Sequence, residues 1–193
     1  MTRRQVLAGA GLLVGTAVTV EESPILAGPT SPPAQAPAPS FRYCLNTSTL
    51  RGQKVGIVRE VEVAAQAGYD AIEPWVDSIR EYVQNGGSLS DLKKRISDSG
   101  LTVEGAIGFP EWVVDDDARR AQGLERAKQE MALVAQLGGK RYAAPPAGAT
   151  SLPKLDLLKA AERYRTLLDA GAEAGVVPAL EIWGFSKNLG RLS

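Results

Sequence analysis

Four glycines set the frame of this chain. Gly68, Gly100, Gly138 and Gly175 each close a stretch of helical period and open a short apolar run, in the junctions Ala67-Gly68-Tyr69, Ser99-Gly100-Leu101, Leu137-Gly138-Gly139 and Ala174-Gly175-Val176. The residue after a helix often takes the left-handed conformation, which glycine adopts without a Cβ penalty. The intervals between them are 32, 38 and 37 residues. Five apolar runs alternate with the helical stretches, over residues 41–45, 71–75, 102–109, 141–144 and 176–183. Residues 117–137 predict a helix with Ala121, Leu124, Ala127, Met131 and Val134 on one face. Residues 154–174 do the same with Leu157, Ala161, Tyr164 and Leu168, and residues 54–67 with Ile57, Val61 and Ala64. Leu89, Leu92 and Ile96 mark a shorter helix that Ser88 and Asp91 are spaced to cap. Strand and helix alternating at this interval define βαβ units and a parallel sheet. Right-handed crossovers then leave a barrel or a doubly wound open sheet.

The polar residues favour the barrel. No Gly-rich phosphate turn follows the first strand, as a dinucleotide fold would need. Instead Asn46, Thr47, Glu73, Trp75, Phe109, Trp112, Glu181 and Trp183 gather at the carboxyl ends of several strands. In a (β/α)8 barrel that rim is where active sites are built. Such a barrel takes ~250 residues, and residues 41–193 cover little more than half of that. The expected fold is therefore α/β: an incomplete (β/α)8 TIM barrel of about its first five strands, open rather than closed.

Composition removes several chemistries. The chain has no histidine, one cysteine (Cys44) and a formal net charge of zero. Histidine-based acid–base catalysis and an intrachain disulfide are excluded, and the basic stripe of a nucleic-acid binder is missing. Glu181 is the strongest single candidate, because a carboxylate near the end of an apolar strand is costly to bury unless paired or bound to a metal. Glu73 and Glu104 lie in strands as well, as rim partners or substrate contacts. Trp75, Trp112 and Trp183 suit the apolar face of a sugar ring or packing under loops. Asp115-Asp116-Asp117 precedes a helix and reads as capping rather than a metal cluster.

Three segments carry a resemblance: residues 41–49 (Phe41-Arg42-Tyr43-Cys44-Leu45-Asn46-Thr47-Ser48-Thr49), residues 67–75, with Gly68-Tyr69-Asp70-Ala71-Ile72-Glu73 running into the second strand, and Ala179-Leu180-Glu181-Ile182-Trp183 on the fifth. Together they resemble the front part of the xylose-isomerase-like barrels, a superfamily of sugar and sugar-phosphate isomerases and epimerases. The resemblance implies a divalent metal held by a Glu on strand five and by an Asp, a His and a Glu on strands six to eight. The two Glu residues would also move protons at a carbon next to a carbonyl. Glu181 fills the strand-five position, as both metal ligand and acid–base group. Asn46, Glu73, Trp75, Trp112 and Trp183 would contact a small sugar-like substrate. A complete homologue would bind Mn, Mg, Co or Zn; this chain by itself would bind none. The resemblance also departs from its better-known branches. The early histidines of the DNA-repair endonucleases and of xylose isomerases proper are missing, and the second Glu of ketose 3-epimerases is replaced by Lys187. The alternatives are a non-catalytic exported carbohydrate-binding barrel and an inactive fragment.

Thr2-Arg3-Arg4-Gln5-Val6-Leu7 resembles a twin-arginine export signal, and an apolar run over residues 6–20 follows it. That run is short of the ~20 residues a membrane span needs. Residues 1–26 are expected to be a cleaved signal, with an uncleaved anchor as the alternative. Residues 27–40 (AGPTSPPAQAPAPS) are expected to form an extended linker. Residues 41–193 then form the barrel part, delivered to the periplasm or another extracytoplasmic space, without a membrane span once the signal is removed.

Overall fold

Parallel strands in sequential order organise the molecule. The computed structural model describes residues 41–191; the expected signal and the linker lie outside the described residues. β1 (Cys44–Asn46) leads through a 3-10 helix (Thr47–Gln53) into α1 (Gly56–Gln66). β2 (Ala71–Glu73) is followed by α2 (Val76–Gln84) and α3 (Leu89–Asp98). Two short strands, β3 (Thr102–Val103) and β4 (Ala106–Ile107), precede α4 (Asp117–Leu137). β5 (Arg141–Ala144), α5 (Leu157–Ala174) and β6 (Val177–Leu180) complete the series. The sheets run β1-β2-β3 and β4-β5-β6, with every pairing parallel. The wind never reverses, as a doubly wound sheet would require.

The third expected strand, over residues 102–109, is broken. Ile72 pairs with Val103 and Trp75 with Ile107, so one extra residue sits on the later strand. This is a β-bulge at Glu104-Gly105, which re-aims the strand without ending it. Glu104 N–H still donates to Ile72 O and Ile107 N–H to Pro74 O, both at 3.2 Å. The two sheets are thus one arc with five barrel positions. Among the described residues the arc is open: nothing pairs β6 to β1.

Alternation separates two faces. Leu45, Ile72, Val103, Tyr142, Ala144 and Pro178 are buried on the helix side. Cys44, Thr102, Arg141, Val177 and Ala179 on the opposite face are exposed. That second face is the one a closed barrel turns inward. The four junction glycines all have positive φ, and Gly138 (φ 92°) and Gly175 (φ 69°) cap α4 and α5 in the left-handed conformation. Asp116 caps α4 and accepts from Arg119 N–H, and Ser88 caps α3.

α2 was not expected from the sequence: it has no side-chain cap at Trp75, and with only Val76 and Ile79 buried its apolar stripe is short. Two expected helix faces are corrected. On α5 the buried residues are Ala160, Leu167, Ala170 and Gly171; Leu157 (57% exposed) and Leu168 (37%) face solvent, and Ala161 is exposed. Small residues let α5 lie close to β6, where Pro178 packs on Gly171, so the leucine stripe is turned away. On α4, Ala121 is exposed while Ala127, Met131 and Val134 are buried as expected.

Candidate functional site

Because all strands are parallel, their carboxyl ends share one edge. Asn46, Glu73, Phe109, Glu181 and Trp183 lie at or just past those ends. Asn46 Nδ2 donates to Glu73 Oε2 at 2.6 Å, while its Oδ1 accepts from Ser48 N–H and starts the 3-10 helix. Further down the arc, Glu104 pairs with Arg42 at 3.1 Å and Arg141 at 3.6 Å. Cys44 lies among these carboxylates; burial first, then the charges of Glu73 and Glu104, push its thiol up to about 11, with Arg42 opposing.

Glu181 follows the last residue of β6. Its N–H donates to Ala144 O at 3.3 Å, so the ladder continues through it. Its Oε2 is buried and has no hydrogen-bond partner. Leu180, one residue before, packs against the helix-side core, and Tyr164 holds that strand by donating to Pro178 O at 2.7 Å. A buried carboxylate oxygen without a donor fits an oxygen ligand awaiting a cation. Among the described residues no three His, Cys, Asp or Glu side chains gather closely enough to hold a metal.

The tryptophans divide into two kinds. Trp75, Phe109, Trp183 and Phe185 form a chain of rings, with centroids 4.8, 6.1 and 5.1 Å apart. Phe185, 77% exposed and stacked on Trp183, is the open platform of this row. Trp75 is flanked by Phe109 and by the Arg51 guanidinium, 4.8 Å from its centroid. Its buried Nε1 has no partner. Trp112 is different. It is 2% exposed, its Nε1 donates to Pro145 O at 2.8 Å, and Tyr164 packs on it. Its ring and its N–H are engaged in packing, the alternative that the sequence left open beside a sugar contact. Asn188, buried, donates to Ala149 O and accepts from Leu155 N–H, fixing the segment after Trp183 to the loop after β5.

Two buried acids went unseen in the sequence. Glu130 on α4 is fully buried and accepts from Arg126 at 2.6 Å, Arg80 at 3.4 Å and the Tyr142 hydroxyl. Glu60 on α1 is 5% exposed, and its Oε2 has no partner. Burial raises the Glu60 carboxyl above its ordinary value, and the nearby Thr47 hydroxyl opposes the shift. Each sits on the apolar stripe of its helix, which was the available signal.

Sequentially wound parallel βα units, with carboxylates and aromatics gathered at one strand edge, are the arrangement of a partial (β/α)8 barrel, a fold that builds its sites on that rim. The sequence profile of the xylose isomerase-like TIM barrel family matches residues 61–193. The chain belongs to that family. Among solved structures it is similar to the IolI protein with a bound zinc atom, at 21% identity and TM-score 0.64 over 72% of this chain and 51% of that one. D-psicose 3-epimerase in the presence of D-fructose follows at 19% identity and TM-score 0.61, over 74% and 52%. The probable 3-DHS dehydratase AsbF of Bacillus anthracis shows 16% identity and TM-score 0.61, over 72% and 52%. These likenesses show the fold, and the chain spans about half the length of each of these structures. No curated protein matches the sequence.

Proposed function

We propose that this chain is the exported first part of a metal-dependent isomerase or epimerase acting on a small sugar-like substrate. The buried, unpartnered Oε2 of Glu181 at the end of β6 carries the reading. In a barrel completed by three further βα units, Glu181 would be one of several ligands to a divalent metal and would hold or accept the proton of a carbon next to a carbonyl. When bound, the metal would polarise the substrate's carbonyl and hydroxyl oxygens. Oxygen ligation suits Mg or Mn, and a His from the remaining strands would admit Co or Zn. Asn46 and Glu73, already joined, would present a polar wall to the hydroxyls, and Trp183 with Phe185 would take an apolar ring face.

The exposed leucine stripe of α5 supports an incomplete barrel, because in a closed one a following helix packs beside α5. One carboxylate makes a poor metal site, so the chain alone is proposed to be inactive and metal-free. The exposed Phe185–Trp183 stack favours one second reading, an exported carbohydrate-binding barrel without chemistry. The export itself, with residues 1–26 as signal and 27–40 as linker, belongs to the proposal.

The test is a chain extended through three further βα units. Its metal affinity is read by calorimetry, and exchange of the substrate's carbon-bound hydrogen with solvent deuterium by NMR. Glu181→Gln should remove most metal affinity and slow exchange by ~10²–10⁴ without loss of fold. If that variant binds metal and exchanges like its parent, the assignment of Glu181 fails. If the parent binds sugars without exchange, the carbohydrate-binding reading replaces catalysis.

A further inference from the structure

A cleft of about 440 Å³ opens between the 3-10 helix, the start of α1 and α2. Thr47, Arg51, Lys54, Glu60, Trp75 and Ser78 line it, with Glu81 also in its wall. It is distinct from the inner sheet face and from Glu181. Two observations make it more than a surface dent. Glu60 is 5% exposed, lines the cleft and has an oxygen without a partner. Trp75 also lines the cleft and has a buried N–H without a partner. One group asks for a hydrogen donor and the other for an acceptor, and a hydroxyl is both.

The other wall is cationic. Arg51 and Lys54 belong to the segment that turns into α1. Lys54 is left-handed (φ 50°, ψ 43°) and Val55 right-handed, and no side chain caps α1 at Val55. Lys54 N–H is given to Arg51 O, so the backbone feature that favours an anion is the uncapped first turn of α1.

We propose that this cleft binds a small polyhydroxylated anion, a sugar acid or a sugar phosphate. Its charge rests on Arg51, Lys54 and the first turn of α1, and its hydroxyls satisfy Glu60 and the Trp75 indole. The inference does not rest on the proposed metal chemistry: Glu181 does not line the cleft, and Trp75 is what connects it, through Phe109, to Trp183.

The experiment uses the full chain. Binding of D-gluconate, D-glucose 6-phosphate, D-glucose and sulfate is compared by calorimetry and tryptophan fluorescence. At least one of the two hydroxylated anions should bind at least about tenfold more tightly than either glucose or sulfate, since each of those offers only half of the chemistry. Which of the two binds identifies the carboxylate or the phosphate as the charge. Arg51→Ala, at an exposed position, should weaken binding by about tenfold or more. Glu60→Leu should weaken it similarly while changing the thermal midpoint little, because it replaces a buried acid with one unpartnered oxygen by an apolar side chain. Equal affinity for all four probes overturns the proposal. So does undiminished binding in both variants, which would make Glu60 a buried acid of the packing and nothing more.

Discussion

Removing the Tyr142 hydroxyl should destabilise the protein out of proportion to its size. The Tyr142 ring lies in the core, and its hydroxyl donates to Oε2 of Glu130. Both side chains are fully buried. The two arginines reach only Oε1, Arg126 at 2.6 Å and Arg80 at 3.4 Å. Tyr142→Phe therefore leaves Oε2 of a buried carboxylate without a donor, at a cost of about 1.5–3 kcal/mol, the range for hydrogen bonds to charged groups. Glu130→Leu alone should cost about 1–3 kcal/mol, chiefly because it strands the buried phenol; Arg80 and Arg126 reach solvent and Arg126 keeps Asp77. The double variant removes both buried partners and should cost less than the sum by about 1–3 kcal/mol. Urea unfolding monitored by far-UV circular dichroism gives all three values. A Tyr142→Phe change below about 0.5 kcal/mol, or strict additivity, would refute the reasoning and make the cluster incidental to stability. The same cluster fixes an alkaline limit. Burial, then the Glu130 charge, holds the Tyr142 phenol far above its ordinary value. A raised native value means that this stabilisation is complete below the unfolded phenol's value of about 10 and is lost as pH rises beyond it.

Three more outcomes are expected. At pH 8 the Cys44 thiol, pushed up to about 11 from an ordinary 9.0, should react with Ellman's reagent about a hundredfold more slowly than an ordinary thiol. Glu104→Gln should speed it in part, and a rate equal to that of free glutathione would contradict the partial burial and the negative field that together raise the thiol. Arg119 donates to both oxygens of Glu111 at 2.7 and 2.6 Å and holds that carboxyl below its ordinary value. Its stabilisation is present above the unfolded value of about 4.3 and is lost as pH falls through the folded value, so wild type should be slightly more stable than Arg119→Ala at pH 7 and the two should converge in acid; a gap that persists below the folded value would rule out this ion pair as its source. Residues 1–40 fused to a folded reporter should be exported, and changing Arg3 and Arg4 to lysine should stop it; unchanged export, read by fractionation, removes the twin-arginine assignment.

The order of the elements was legible because the junction glycines answer to a backbone requirement that few other residues meet. Their positive φ values are the same constraint seen in three dimensions. Asp116 and Ser88 were legible as caps for a similar reason, since their side chains do local work. What stayed hidden depends on distant neighbours. The bulge at Glu104-Gly105 exists because of how the strand pairs with β2, and no local spacing encodes it. The choice of face on α5 was decided by the small residues Ala160, Ala170 and Gly171 against the strand rather than by its leucines. Trp112 could be placed at a strand end from sequence, but its orientation toward Pro145 O could not. Glu130 stands on the apolar stripe of α4, but the Tyr142 hydroxyl and Arg80 that meet it there come from other elements and cannot be read from its own helix.

The polar accounting differs between the middle of the arc and its rim. Around β4 and β5 the buried groups are matched: Glu130 by three donors, Trp112 by Pro145, Asn188 by the loop it holds. The buried side-chain atoms left without partners among the described residues are Glu60 Oε2, Trp75 Nε1 and Glu181 Oε2. Glu60 and Trp75 sit with the first two βα units, and Glu181 at the end of the last strand. Each such atom costs about 1–3 kcal/mol if nothing meets it. On the two proposals above, a ligand meets the groups at the first end of the rim, and further strands with their metal meet Glu181 at the second. The two can be separated experimentally, because gluconate or glucose 6-phosphate should quiet the first without the added strands, and only the added strands should quiet the second.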